Sequence, residues 1–328
     1  MEPALCTQQT ERLLSGNGAC CERIAENETG SMMMTEYQVF PGIRLIYQDV
    51  HMLRYTYPEP AHDALLEIHH CREGRYEQQV GKQYFYLSSG DLSISRSTVT
   101  GTEAYFPTSH YHGISIVIDP VKAPECFSCF LDDVNVRPQA LMEKFCSVQT
   151  CFIIRSTEQL EHIFSELYHI PESIRMGYLK VKVLELLLFL SALDTDLSQA
   201  GLHSCPQSQV RLAKAVCLHV CAHMNEHYTI EQLAQQFQVS PTQLKKSFRN
   251  VYGDSLYSYV RTQKMLSAAK LLQETDRTIL DIAGECGYDN GSKFSKAFRE
   301  VMGVSPREFR NQKGRPIESV RMERKNDF

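Results

Sequence analysis

Two periodicities divide the chain. Between about Gly42 and Asp119, apolar and polar residues alternate in short runs separated by turn-forming residues, as in Gly113–Asp119. A period of two is typical of strands with one buried face. After about Pro138 the apolar residues recur every three or four positions, the spacing of amphipathic helices. The order predicts an α+β chain that begins with a small β-barrel or jelly roll and continues with helices.

Two helices in the middle of the chain are apolar along one side. The first is marked by Leu160, Ile163, Phe164 and Leu167, and the second runs from about Ile174 to Leu193. Stripes this wide must be buried. The pattern leaves two partners open: the β-rich part of the same chain, or the same helices of a second copy in a homodimer.

The same patterns give domain boundaries. Residues 1–35 show no clear periodicity, so we expect an arm that is disordered in part. Residues 36–193 form the β-rich domain with its helices, and residues 194–209 are polar and turn-rich, as in a linker. Residues 210–312 form an all-helical domain, and residues 313–328 form a polar tail.

The helical domain contains an internal repeat. Thr229–Phe237 matches Thr278–Cys286 at an offset of 49 residues, and the offset becomes 50 further on, where Phe248 matches Phe298. The one-residue difference falls in the turn region. Each copy reads as two helices around a sharp turn, with Thr229 or Thr278 as the cap of the first helix. We therefore expect two helix-turn-helix units, joined by a long helix.

The second helix of each copy has a polar or basic outer face. Its outward residues are Thr242, Lys245, Lys246 and Arg249 in the first copy, and Ser292, Lys293, Lys296 and Arg299 in the second. The major groove of DNA admits one helix whose side chains read base edges while lysines and arginines meet phosphates. The alternative is an ordinary helical bundle with a solvated basic face. The occurrence of the pattern in both copies favours double-stranded DNA as a partner.

The charge is divided unevenly. Residues 209–328 carry 19 lysines and arginines against 13 aspartates and glutamates, whereas residues 1–208 carry 15 against 26. The overall pI near 6.2 hides this basic C-terminal part. The asymmetry agrees with a nucleic-acid-binding module at the C-terminal end.

These features carry a family resemblance. The helix pair, the long joining helix through Tyr259–Leu272, and the ending Phe294–Arg310 resemble the DNA-binding domain of the AraC/XylS transcription regulators. The resemblance implies that helices at about 241–250 and 290–300 read successive major grooves. In each copy the arginine and the capping threonine would then hold phosphates, and the other outward residues would reach bases or phosphates. Gly291 departs from the family pattern, because a larger polar residue often stands there.

The β-rich domain resembles a sensor. Ile68–Glu77, with Leu87–Asp91 and Phe106-Pro107, is similar to the sensor half of the siderophore-responsive branch of the same family. The likeness implies a cupin-like domain for a small-molecule effector of unknown identity, dimerising helices and a possible contact with RNA polymerase. The residues expected at the effector pocket are His70, Arg72, Arg75, Tyr84, Tyr86, His110 and His112.

Several histidines and cysteines are candidate metal ligands. His69, His70 and Cys71 are consecutive, and His110 and His112 share one face if they lie on a strand. Imidazoles on one face are suitable metal ligands. Histidines that are hydrogen-bonded or solvated are commoner, so we predict neither a metal nor another cofactor. Cys126 and the cysteine three positions later form a CxxC without a second pair, which indicates structural thiols.

The remaining signals concern class and location. The sequence has no P-loop, GxSxG or dinucleotide motif, so we predict that it is not an enzyme. The rival hypothesis is a cupin-type metal-binding protein or enzyme with an accessory helical domain. No apolar stretch is long enough to cross a bilayer, and the N-terminus lacks the apolar core of a signal peptide. We therefore expect a cytoplasmic, effector-responsive activator with reduced cysteines and no membrane partner.

Overall fold

The computed structural model describes residues 9–16, 19–57, 65–80, 83–96, 103–127, 136–146, 151–193, 204–226 and 228–311. The chain divides into two compact units, which meet in the sequence between Cys205 and Pro206. The predicted tail and most of the predicted linker lie outside the described residues. Each unit is described by itself below.

The first unit contains twelve described strands in two antiparallel sheets. The strands are β1 Thr10–Gly16, β2 Cys20–Asn27, β3 Gly30–Phe40, β4 Ile43–His51, β5 Arg54–Thr56, β6 Leu66–Gly74, β7 Tyr76–Val80, β8 Gln83–Leu87, β9 Leu92–Arg96, β10 Glu103–Tyr105, β11 Tyr111–Ile118 and β12 Cys151–Ile154. The larger sheet has the order β1-β2-β3-β4-β11-β6-β9-β12, and the smaller sheet has the order β5-β10-β7-β8. The described strands do not close into the predicted barrel.

The larger sheet buries both of its faces in its central strands. On one face, Leu45, Ile68 and Ile116 belong to a core shared with the helices α1 Pro138–Cys146, α2 Glu158–Leu167 and α3 Arg175–Ala192. On the other face, Val50 and Tyr111 pack with residues of the smaller sheet. The apolar stripes of α2 and α3 are therefore buried against their own sheet, which was the first of the two partners that the sequence left open.

The described part of the N-terminal arm expected over residues 1–35 forms strands of the larger sheet. Residues 10–16, 20–27 and 30–40 form three consecutive antiparallel strands. Their periodicity is weak because β1 is exposed on both faces, at the edge of the larger sheet, with Leu13 62% exposed. In β3 the methionine run alternates between faces: Met32 is buried in the core between the sheets, whereas Met33 is exposed.

The second unit contains seven described helices. They are α4 Gln207–Ala222, α5 Ile230–Gln236, α6 Pro241–Tyr252, α7 Leu256–Glu274, α8 Ile279–Glu285, α9 Gly291–Met302 and α10 Pro306–Asn311. Helix α5 packs on α6, and α8 packs on α9, while the long α7 lies between the two pairs in sequence and contacts both α6 and α9. None of the helices in the described part of the chain has the length and apolar character needed to span a bilayer.

Candidate nucleic-acid interface

The first helix pair is fixed by local hydrogen bonds at both helix starts. The hydroxyl of Thr229 accepts a bond from the backbone N–H of Gln232 at 3.1 Å, and the side chain of Gln232 accepts one from the N–H of Thr229 at 2.8 Å. This reciprocal capping box satisfies donors that the first helical turn leaves unpaired. Ser240 caps α6 by accepting a hydrogen bond from the N–H of Gln243 at 3.2 Å, and Pro241 occupies the first helical position, where its missing N–H costs nothing.

The second pair repeats the arrangement with different residues. Thr278 and Asp281 form the capping box of α8 at 3.1 and 3.3 Å. The hydrogen bond from the Thr278 hydroxyl also holds the pKa of the Asp281 carboxyl below its usual value. Asn290 caps α9 by accepting bonds from the N–H groups of Ser292 and Lys293. The threonine caps are therefore present, and their role at a phosphate stays a prediction.

The turns of the two pairs share one backbone geometry. The N–H of Val239 donates to the carbonyl of Ala234 at 2.9 Å, and the N–H of Tyr288 donates to that of Ala283 at the same distance. The residue before each donor has a positive φ: 54° at Gln238 and 76° at Gly287. This geometry brings the second helix of each pair back across the first.

The ends of α6 and α9 are also alike. Gly253 and Gly303 have φ values of 80° and 86°, and each donates its N–H to the carbonyl of an arginine four residues earlier at 2.9 Å. The left-handed conformation is easy for glycine, and it satisfies a carbonyl that the helix end would leave unpaired. The backbones of Arg249 and Arg299 are thereby fixed, while their side chains extend from the last turn.

The outward residues predicted for DNA contact are all exposed. On α6 and α9 these are Thr242, Lys245, Lys246, Arg249, Ser292, Lys293, Lys296 and Arg299. The opposite faces are buried, with Leu244, Phe248, Phe294 and Phe298 in the interior. Each set therefore lies on the polar surface of one helix, and each helix carries three basic side chains there. Their contacts with bases or phosphates stay predictions.

Gly291 opens a groove beside α9. The groove has a volume of about 750 Å³ and is bordered by Leu280 of α8 and by Ser292, Lys296 and Arg299 of α9. A β-carbon at Gly291 would lie 3.5 Å from the Cδ1 atom of Leu280, so a larger side chain there would fill part of the groove. Leu280 itself is 65% exposed. The surface is therefore recessed at the start of α9.

The residues expected at the effector pocket make several different local contacts. His70 is buried and stacks on Phe164, with ring centroids 3.9 Å apart, and burial lowers the pKa of His70 to about 3. The guanidinium of Arg72 lies over the ring of Tyr168 at 4.3 Å. These contacts belong to the margin of the core beneath α2.

The other expected pocket residues have contacts of their own. Arg75 donates a hydrogen bond to Ser88 at 2.6 Å and lies 5.2 Å from the ring of Tyr86, while Tyr84 pairs with Cys205 through a backbone bridge. The rings of His110 and His112 lie 4.7 Å apart, as their spacing predicts. A common effector pocket for these residues stays a prediction.

Strand alternation also separates the consecutive histidines. His69 points away from His70, and its ring nitrogens lie 2.7 Å from the Ser115 hydroxyl and 3.2 Å from Glu67. Ser115 in turn donates to Gln48, so this histidine belongs to a hydrogen-bonded buried network. The histidine that does join His110 and His112 is His51, which lies on a different strand. No local motif in the sequence marks that partnership.

Comparison with known proteins gives one family. The model of a helix-turn-helix domain matches residues 233–312. The chain is 36% identical over 86 residues to the probable transcription factor PqrA of Proteus vulgaris, a match that covers 26% of this chain and 70% of PqrA. The chain belongs to the AraC/XylS family of transcription regulators. It is thus a DNA-binding regulator of transcription.

Other AraC/XylS relatives match longer segments at lower identity. The arabinose operon regulatory protein of Salmonella typhimurium is 29% identical over 195 residues, which cover 57% of this chain and 68% of that protein. The transcriptional activator RhaR of Klebsiella pneumoniae is 31% identical over 93 residues, which cover 28% of this chain and 33% of RhaR. Because these relatives are regulators, the comparisons do not favour the cupin-type enzyme as an alternative.

Proposed function

We propose that the chain is an effector-responsive transcription activator whose helices α6 and α9 read two successive major grooves. The observation that carries the proposal is the repeated helix pair, in which the second helix presents three basic side chains on an exposed face in both copies. A single basic helix is common on protein surfaces. Two helices with equivalent caps, equivalent turns and the same exposed pattern fit a pair of helix-turn-helix units.

The proposed division of contacts follows from side-chain chemistry. Lysine and arginine neutralise phosphates, and each phosphate contact releases counterions, so the affinity for DNA falls as salt rises. Thr242, Lys245 and Lys246 lie on the first two turns of α6, where a recognition helix usually meets base edges. Arg249 and Arg299 lie at the helix ends and suit the phosphate backbone.

The first unit is proposed to be a cupin-like jelly-roll sensor for a small-molecule effector. Its two sheets and the helices α1 to α3 are the parts that such a sensor requires, and the similarity to an operon regulator and to an activator supports a regulatory role. We further propose a cytoplasmic homodimer without enzymatic activity that contacts RNA polymerase. In this mechanism, effector binding in the first unit changes how the second unit engages DNA.

The test begins with site selection by the full chain from random double-stranded DNA. We expect enriched sites with two elements centred about 10–10.5 base pairs apart, because successive major grooves on one side of the duplex have that spacing. Titration at several salt concentrations should give a linear fall of log affinity with log salt. Failure to enrich any sequence, or enrichment of one short element, would contradict reading by two helices.

A matched set of lysine variants assigns the binding surface. The double substitution Lys246→Ala and Lys296→Ala should weaken binding, whereas Lys270→Ala should not. Lys270 is exposed on α7 and pairs with Glu274, outside the two proposed reading helices. If Lys270→Ala lost as much DNA affinity as the double variant, the DNA-binding surface would lie elsewhere on the unit.

A further inference from the structure

Three histidines meet on the larger sheet of the first unit. In the strand register, His112 of β11 lies between Asp49 of β4 and Glu73 of β6. His51 follows Asp49 by two positions, and His110 precedes His112 by two. Residues two apart on a strand share a face, so all five side chains belong to the same side of the sheet. It is the side that carries the helix-covered core, which includes Leu45 and Ile116.

The distances within this cluster are short. One ring nitrogen from each of His51, His110 and His112 lies within 4.8 Å of the other two. The Oδ1 atom of Asp49 is 2.8 Å from Nε2 of His51 and 3.2 Å from Nε2 of His112. On the other side, Oε1 of Glu73 is 3.2 Å from Nε2 of His110. The three imidazoles are therefore enclosed by two carboxylates.

These separations suit the donor atoms of one metal ion. Zinc binds imidazole nitrogen at about 2.0–2.1 Å, so neighbouring ligand atoms of a tetrahedral site lie roughly 3.3 Å apart. Asp49 is already at that distance from His112, and the three histidine nitrogens, within 4.8 Å of one another, would have to move closer together around an ion. Three imidazoles with one carboxylate form a ligand set typical of zinc and neighbouring divalent transition metals.

The state of the nitrogens is also suitable. Nε2 of His110 and Nε2 of His112 are shielded from solvent, and neither makes a hydrogen bond of ordinary geometry with a described residue. A buried polar atom without such a bond is costly unless another partner satisfies it.

The backbone holds His110 against the sheet. Gly74 at the end of β6 has a φ of 86°, and a β-carbon there would lie 2.0 Å from the carbonyl oxygen of His110. Only glycine allows this approach. The hydroxyl of Thr108 donates a hydrogen bond to the same carbonyl at 2.9 Å. The position of His110 therefore comes from the main chain and from the loop before β11, not from a flexible side chain alone.

We propose that His51, His110 and His112 bind one divalent transition-metal ion, with Asp49 as the fourth ligand. Glu73, whose carboxylate lies beside the same Nε2 atom of His110, adds negative charge at the site. The inference does not depend on the DNA-binding function, because it rests on a different unit and is measured without DNA. Zinc is the probe for the tests below, and cobalt is its spectroscopic substitute.

The first experiment measures stoichiometry and affinity on the full chain. The protein is stripped with a chelator, kept reduced and titrated with zinc by calorimetry, and the bound metal is counted by mass spectrometry after gel filtration. We expect one tightly bound ion per chain, with affinity that falls as pH drops and protons compete for the imidazoles. Absence of a bound ion at neutral pH would overturn the proposal.

Variants locate the ion. His112→Gln should reduce zinc affinity by at least about 100-fold, because it removes a direct ligand, whereas loss of a hydrogen-bond partner of a ligand costs about 10–100-fold. The matched control is the double substitution His219→Gln and His223→Gln, which removes another close histidine pair, 5.0 Å apart at the C-terminal end of α4. Unchanged affinity in the first variant, or equal loss in the control, would place the ion elsewhere.

Two further measurements keep the test decisive. His51→Gln changes a partly exposed residue at the end of β4, so it provides a second variant if His112→Gln fails to fold. The unfolding temperature of the His51→Gln variant should not rise when zinc is added, whereas the unfolding temperature of the unchanged chain should rise. Cobalt bound in place of zinc should show four-coordinate visible bands without sulfur charge transfer. A sulfur band would assign the metal to cysteines and refute the histidine site.

Discussion

The two helix pairs of the second unit reach the same backbone by different local chemistry. In the first pair the left-handed turn position is Gln238, and in the second it is Gly287. Helix α6 begins at Pro241 after its cap Ser240, and α9 begins at Gly291 after its cap Asn290. The turn before α9 contains one residue more than the turn before α6. The turn is thus less strained in the second pair. At the start of the second helix of each pair, α6 has larger side chains than α9.

This difference suggests unequal roles on DNA. The first turn of α6 offers Thr242 followed by two lysines, whereas α9 starts with a glycine beside an open groove. A missing side chain removes a contact with base edges but leaves the basic residues further along the helix. We therefore expect the first pair to discriminate sequence and the second pair to supply more of the phosphate contact.

The largest expected effect comes from the two cores. Phe248→Ala truncates a fully buried ring on the inner face of α6, and Phe298→Ala does the same on α9. Each should lower the free energy of unfolding of the helical unit by about 3–5 kcal/mol. Urea unfolding followed by circular dichroism measures both, with Phe→Leu at each position as the milder control. A loss below about 1 kcal/mol in one copy would show that its helix pair does not depend on that core.

Single lysine substitutions come next and divide the two copies. Lys246→Ala should cost about 1–3 kcal/mol on the selected site and less on sites with changed bases, as a base contact does. Lys296→Ala should weaken binding to all sequences similarly and lower the salt slope by about 1, as a phosphate contact does. Fluorescence anisotropy at several salt concentrations measures both. The reverse assignment would overturn the proposed roles.

Substitutions at the left-handed turn position should change stability in opposite directions in the two helix pairs. Gly287→Ala should cost about 1–2 kcal/mol, because φ is positive there and the new β-carbon would lie 3.1 Å from the Asn225 carbonyl oxygen. Gln238→Gly relieves the corresponding strain but gains unfolded-state freedom, so we expect a net gain of at most about 1 kcal/mol. Thermal unfolding measures both changes.

Gly284 provides the control for that pair. It lies inside α8, and a β-carbon there would meet nothing within 4 Å. Gly284→Ala should therefore stabilise the unit by about 0.5–1 kcal/mol through helix propensity alone. If alanine at positions 284 and 287 had the same sign of effect, backbone conformation would not be what distinguishes them.

A further small effect concerns the caps. Thr229→Ala and Thr278→Ala should each lower stability by about 1 kcal/mol, while the corresponding serine variants should keep most of the capping energy. Both threonines make the same reciprocal box, so the two losses should be equal within error in chemical denaturation. A clear difference would show that Gln232 and Asp281 are not equivalent partners.

The helical unit could be predicted from the sequence because its determinants are local. Caps, the N1 proline and the terminal glycines act within four residues, and the repeat presents each signal twice. The outward positions of Lys246 and Lys296 follow from helical period alone. The turn residue Gln238 is different, since nothing in a glutamine signals a positive φ, and only its alignment with Gly287 points to that conformation.

The site residues of the first unit could not be predicted in the same way. Neighbouring positions such as His69 and His70 face opposite sides of a strand, so proximity in sequence does not indicate a common site. His51 and His112 are brought together by pairing of β4 with β11, and Glu73 by pairing of β11 with β6. That register depends on the whole sheet, which the sequence pattern leaves undetermined.

The edge strand β1 has a practical consequence for work with the protein. It pairs only with β2 among the described strands, and it exposes Leu13 and Leu14 along its length. An edge with free backbone donors and apolar side chains is where a further strand adds during aggregation. Glu11 and Arg12 oppose this by charge, which salt screens. Storage in concentrated, high-salt buffer, otherwise convenient for a DNA-binding protein, therefore favours self-association at this edge.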